Sequence, residues 1–94
     1  MSDPGTRMAL RSGNLFWRIV DEDVVALDFT GSRYFATNSA GTLLWSRLQS
    51  GATRAELIGA MCDRYSIDAE QAGREVDDFV AQLASRGLLE SGQG

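Results

Sequence analysis

The sequence contains no histidine and no lysine, and it has a single cysteine and a single proline. Without histidine the chain lacks the side chain whose ordinary pKa lies nearest neutrality, and with it the usual general base and the commonest metal ligand. Without lysine the phosphate loop GxxxxGK[ST] is impossible. One cysteine cannot close an internal disulfide or build a zinc site. No apolar run approaches the roughly 20 residues that a membrane span needs, and the N-terminus lacks the apolar core of a signal peptide. Excess positive charge is also missing: the basic residues, all arginine, number 9 against 13 Asp plus Glu, for a net charge of -4. A generic nucleic-acid binder carries the opposite balance. What is present is ordinary for a soluble globular domain, with 44% hydrophobic and 23% charged residues in a 94-residue chain. A domain of this size buries about 60–70% of its unfolded surface, enough for one modest core. These features point to a cytoplasmic protein that binds something and catalyses nothing, with no cofactor and no metal.

Residues 1–14 hold two glycines and the only proline and read as a flexible N-terminal segment. Residues 15–90 should form the domain, and 91–94 a frayed tail. The first half reads as strands. Leu15–Val20 is rich in aromatic and β-branched residues. Asp21-Glu22-Asp23 is a polar break. From Val24 to Phe29, Val25, Leu27 and Phe29 fall on one face and Val24, Ala26 and Asp28 on the other. Thr30-Gly31-Ser32 has the length of a hairpin turn, and Arg33–Thr37 follows as a third strand. Two short connections in a row predict an antiparallel meander whose outer strands keep unpaired backbone groups.

The second half reads as three helices. Asn38-Ser39 is an N-cap region before Ala40, Leu43, Leu44 and Leu48, which recur at helical spacing, and Gly51 fits the stop. Thr53-Arg54-Ala55-Glu56 is a capping box before the Leu57, Ile58, Met61, Tyr65 stripe. Asp68 to Gln71 opens a third helix with a stripe of Ala72, Val76, Phe79, Val80 and Leu83. Gly87 can end it in the left-handed region, with Leu88 folding back on Leu83. Three strands followed by three helices predict an α+β domain, with the helices covering one face of the sheet.

Residue types that could carry chemistry are few. Cys62 has no histidine to activate it and lies beside an apolar helix stripe, so it reads as a partly buried structural residue. Asp21, Glu22, Asp23, Asp77 and Asp78 lack the ligand spacing of a calcium or di-metal site. Trp17 and Trp45 serve a small core better than they serve as stacking platforms, Trp45 more clearly than Trp17. The R-Y-F-A-T strand is different. It is a short aromatic edge that invites strand addition by an extended peptide, although an ordinary edge blunted by Arg33 would look the same.

The run V-V-A-L-D-F-T-G-S-R-Y-F-A-T-N-S-A-G-T-L-L-W-S-R-L-Q-S-G-A-T resembles the PqqD-like family. That family shows a strand ending in Leu-Asp, a Gly turn, an aromatic strand ending in Asn, then x-x-Gly and a Trp-bearing helix. The likeness continues through T-R-A-E-L-I, D-R-Y-S-I-D and E-V-D-D-F-V-A-Q-L-A-S-R-G-L-L, and so covers about residues 15–90. It implies a winged-helix-like recognition element for the leaders of ribosomally synthesised, modified peptides. The leader would add a strand in a cleft between the third strand and the third helix. A chain of this length corresponds to the free form of the element, and the lysine-free acidic composition is similar to the leader-binding proteins of lasso-peptide pathways. The implied partners are a precursor leader with spaced Tyr, Pro and Leu anchors, a separate cysteine peptidase and an ATP-dependent cyclase. No nucleic acid or membrane is implied.

On this reading the site is Arg33, Tyr34, Phe35, Ala36 and Thr37 of the strand, with Val76, Asp77, Val80, Ala81 and Ala84 of the third helix. The helix offers two flanks. Gly73, Asp77, Val80, Ala81 and Ala84 form the smaller, more apolar one, and Glu75, Gln82 and Arg86 the other. The first is expected to line the cleft. Two alternatives share the helix layout. One is the peptide chaperone of pyrroloquinoline quinone biosynthesis. The other is a winged-helix DNA-binding regulator. Six carboxylates against two arginines over residues 68–90 oppose the second, because such a helix repels phosphate.

Overall fold

A computed structural model describes residues 7–30 and 33–90. Five strands and three helices follow in chain order: β1 (Arg7–Met8), β2 (Leu15–Val20), β3 (Asp23–Asp28), β4 (Arg33–Thr37), α1 (Ser39–Ser50), β5 (Ala52–Thr53), α2 (Arg54–Tyr65) and α3 (Ala69–Ser85). The antiparallel meander is β2-β3-β4, and β1 pairs with β5 in a separate two-stranded ribbon. The α+β architecture of three helices on a three-stranded antiparallel sheet is therefore the one that the sequence predicts.

Local chemistry accounts for most boundaries. The β2–β3 hairpin turns through two residues, and both Asp21 and Glu22 have positive φ, at 52° and 73°. That is the primed turn whose twist matches two antiparallel strands. The expected Gly31-Ser32 turn lies outside the described residues. Asn38 caps α1 by accepting from the Gly41 N–H at 3.0 Å. Thr53 and Glu56 close the capping box in both directions, and Asp68 accepts from Gln71 N–H at 2.8 Å. At the end of α3, Leu88 N–H reaches Leu83 O at 2.9 Å and Gly87 N–H reaches Ala84 O at 3.1 Å. These two bonds are the Schellman pair, with Gly87 in the left-handed region. Only the end of α2 lacks a glycine: Ser66 takes the left-handed position at φ 57°.

The core lies between the sheet and the helices. Trp45 is fully buried at its centre, stacked on Phe35 at 5.7 Å and meeting Trp17 edge-on at 5.6 Å. Both tryptophans thus serve packing, and Cys62 is half-buried against the same cluster. On β3 the core face is Val24, Ala26 and Asp28.

The N-terminal expectation needs correcting from Arg7 onward. β1 pairs with β5, and Leu10 is buried and donates its N–H to Leu48 O. Arg11 ties three segments together. Its Nη2 lies 2.6 Å from Asp28 Oδ1 and its Nη1 donates to Gly87 O at 2.9 Å. Nη2 also donates to Asn14 O. The side chain of Asp28 is only 7% exposed, and a buried carboxylate needs such a partner. The arginine hydrogen bond holds the Asp28 carboxyl below its ordinary value of 3.8, against the opposing effect of burial. The sequence hides this junction because its contacts span 17 and 76 positions.

Candidate functional site

The open edge of β4 is the feature from which the site is built. Along β2 and β3, Phe29 N–H donates to Asn14 O at 2.9 Å, directly continuing the Leu15–Asp28 register. Hydrogen-bonded and non-bonded pairs alternate in an antiparallel ladder. Leu27, Val25 and Asp23 therefore bond to β2, while Val24, Ala26 and Asp28 turn their backbone groups to β4. Their partners there are Thr37, Phe35 and Arg33. Tyr34 and Ala36 are left with N–H and C=O directed away from the sheet, two donors and two acceptors along one free edge.

A groove runs beside that edge, with α3 as its far wall. Its floor is Phe35 against Phe79, ring centroids 6.3 Å apart. At the Thr37 end it opens into a cleft of about 380 Å³, lined by Thr37, Asn38, Gly41, Glu75, Asp78 and Gln82 among others. At the other end a much smaller hollow is bordered by Asp28, Arg33, Tyr34, Phe35, Arg86 and Leu88 among others. The Arg86 guanidinium carbon sits 5.3 Å from the centre of the Phe35 ring. α3 therefore runs antiparallel to β4. The dimensions agree, since four strand steps and eleven helix steps both span about 13–17 Å.

Gly41 makes the cleft possible. A Cβ there would overlap the Thr37 side chain and come within 3.0 Å of Phe79 Cε1. Only a residue without a side chain lets the start of α1 lie this close to β4 and α3. In the sequence this glycine appears only as part of the x-x-Gly pattern.

Of the residues expected in the site, Arg33, Tyr34, Phe35, Ala36 and Thr37 form the edge and one wall of the groove. The helix residues do not. Val76 is fully buried in the core. Asp77 is held by Arg54 of α2, Nε to Oδ1 at 2.8 Å and Nη2 to Oδ2 at 3.0 Å. Its carboxyl is lowered from the ordinary range by that hydrogen bond. A Cβ on Gly73 would point at Arg54 and Ile58, also on α2. Val80 is half-buried, and Ala81 and Ala84 are exposed along the same flank. This flank faces α2, and the groove wall is the other one, with Glu75, Asp78, Phe79, Gln82 and Arg86. The hydrophobic period places Phe79 in the buried stripe and Asp78 on neither flank. The apolar moment of α3 locates its buried stripe but is symmetric about it, so it cannot tell left from right.

The family described as Coenzyme PQQ synthesis protein D (PqqD) matches residues 23–89. The chain belongs to the PqqD family. Among solved structures, this PqqD-family fold is similar to that of "TbiB1 in Complex with the TbiA(beta) Leader Peptide". That likeness has 31% identity and a TM-score of 0.79, over 88% of this chain and 96% of that one. It is also similar to "Lasso peptide synthetase B1 complexed with the leader peptide", at 23% identity and a TM-score of 0.77 over the same shares. A search of the curated proteins finds no match. Among the described residues, no group of three or more His, Cys, Asp or Glu is placed to hold a metal ion, and no helix is long and apolar enough to cross a membrane.

Proposed function

We propose that this chain binds the leader of a ribosomally made precursor peptide as an added strand along β4. It would hold the leader for a separate peptidase and cyclase of lasso-peptide biosynthesis and catalyse nothing itself. The observation that carries this reading is the pair of outward-facing backbone units at Tyr34 and Ala36 beside the β4–α3 groove. The likeness to a protein solved with a leader peptide supports it. An extended leader satisfies those four backbone groups, which sets its direction and register. Alternate side chains of the added strand then face the groove, over Phe35 and Phe79, and set specificity. The site in this proposal is Arg33 to Thr37, Gly41, Glu75, Asp78, Phe79, Gln82 and Arg86. A free leader is disordered, so apolar contacts in the groove must exceed its ordering entropy. By binding the leader the protein raises the concentration of substrate near the processing enzymes.

The test is a titration of fluorescein-labelled leaders from a lasso precursor and from a quinone-cofactor precursor, with amide exchange read at Tyr34 and Ala36. The lasso leader should bind and slow exchange at both amides. Tighter binding of the other leader would move the protein to the second pathway. Binding of neither, together with binding of duplex DNA at low salt, would overturn peptide recognition.

A further inference from the structure

The two ends of the groove carry opposite charge, and those charges have no ionic partner within the protein. Four arginines are paired with carboxylates: Arg7 with Glu56, Arg11 with Asp28, Arg54 with Asp77 and Arg74 with Glu70. Among the described residues, Arg33 and Arg86 make no such pair, and both border the hollow at the start of β4. Glu75 and Asp78 likewise face no cation, and both line the cleft at the Thr37 end. Glu75 accepts only from its helix neighbour Gln71, at a long 3.4 Å. Placing like charges together at each end of a groove costs repulsion. At the Arg33 end the Asp28 carboxylate borders the same hollow but is committed to Arg11, so the two arginines leave that end net positive.

We infer that the groove selects an extended peptide bearing two opposite charges about four residues apart, the acid set against Arg33 and Arg86 and the base against Glu75 and Asp78. The inference rests on strand addition at β4 and adds to it the ligand's charge pattern. Arg33 and Thr37 share a face of β4, and four strand residues span about 13 Å, so positions i and i+4 of an added strand face the two charged ends. The apolar floor of Phe35 and Phe79 lies between them and receives the intervening groove-facing residue. Arg86 lies over the Phe35 ring, which holds its guanidinium beside the groove, and a guanidinium can take a carboxylate through two parallel bonds. Because these pairs lie at the protein surface, they contribute selectivity and register more than affinity.

The experiment is selection of a displayed library of random 12-residue peptides on the full chain. A parallel selection uses the charge-swapped variant R33E/R86E/E75R/D78R, checked for folding by circular dichroism. Peptides enriched on the wild-type chain should carry an acid and a base three to five positions apart in one fixed order. The swapped variant should enrich the reverse order. Reversing both charges in one enriched peptide should weaken wild-type binding about three- to tenfold, with the difference shrinking at high salt. If the variant fails to fold, reversal of the peptide charges against the wild-type chain still decides the matter. Enriched peptides that slow exchange at Tyr34 and Ala36 but show no charge pattern would overturn this inference and leave strand addition standing. Peptides that bind without affecting those amides, or a selection that enriches nothing, would overturn strand addition and this inference with it.

Discussion

The two flanks of α3 have the same parent helix and opposite fates. On the α2 side, Asp77 is held by Arg54 through two hydrogen bonds, and Gly73 leaves room for that arginine and for Ile58. The acid on that flank has its ionic partner within the protein, although the pair itself is exposed. On the β4 side, Glu75, Asp78 and Arg86 stand over a groove whose other wall is a strand edge with free backbone groups. Polar groups that a fold satisfies internally report on the fold. Those that it leaves pointing into a concavity are available to a ligand. The identity of the residues does not separate the flanks, since both carry acids, and only their surroundings do.

The largest test of that contrast is on the strand. Ala36→Pro removes an outward N–H and should lower leader affinity by about tenfold or more while the domain stays folded, because an edge strand tolerates proline there. Thr37→Pro removes an N–H that bonds to β3 and should lower the thermal midpoint instead. Equal binding losses with equal unfolding in the two variants would mean that the alternation is assigned wrongly. A pair of glycine substitutions comes next. Gly41→Ala, at the groove, should cost about 1–3 kcal/mol in denaturant unfolding, because its Cβ meets Thr37 and Phe79, and it should narrow the cleft. Gly73→Ala, on the α2 flank, is tight only against the end of the Arg54 side chain, which can move, and meets Ile58 at an ordinary 3.7 Å. It should gain up to about 1 kcal/mol from helix propensity and leave leader affinity unchanged.

A third contrast is in acid. Asp28 and Asp77 both have carboxyls lowered by an arginine hydrogen bond. A lowered folded pKa gives stability that is complete above the unfolded value, near 3.8, and is lost as pH falls through that value toward the folded one. Asp28→Asn should flatten that acid limb in thermal melts and also lower the midpoint at pH 7, since Arg11 loses its buried partner. Asp77→Asn should flatten it less and leave leader affinity at neutral pH unaltered, because its pair is exposed and screened. A matching loss of affinity from Asp77→Asn would put the ligand on the α2 side after all. The smallest effect should come from Glu22→Gly. Relieving a non-glycine left-handed residue in the β2–β3 turn should gain about 0.5–1 kcal/mol and leave leader binding untouched.

Local order was legible in the residues themselves. Asn38, Thr53, Asp68, Gly51 and Gly87 start or stop helices through bonds to atoms a few positions away, and such bonds form whatever the rest of the chain does. The strands Leu15–Val20 and Arg33–Thr37 have the bounds that aromatic and β-branched content gives them. The family follows from the order of these signals. The end of α2 was not legible, because Ser66 is not a residue that advertises a left-handed stop. The segment from Arg7 to Asn14 was not legible either, since Leu10 and Arg11 find their partners on α1, β3 and the end of α3.

The sequence by itself therefore determined the elements, their caps and the strand whose edge lies open, because short-range hydrogen bonding and hydrophobic period decide those. The tertiary structure decided which N–H groups of β4 face outward and which flank of α3 faces them. The first depends on the register with β2 and β3. The second depends on the side from which α2 packs, placing Arg54 beside Asp77 and leaving Glu75, Asp78 and Arg86 to the groove. An amphipathic pattern has one axis and no handedness, so only the packing of a third element distinguishes its two sides.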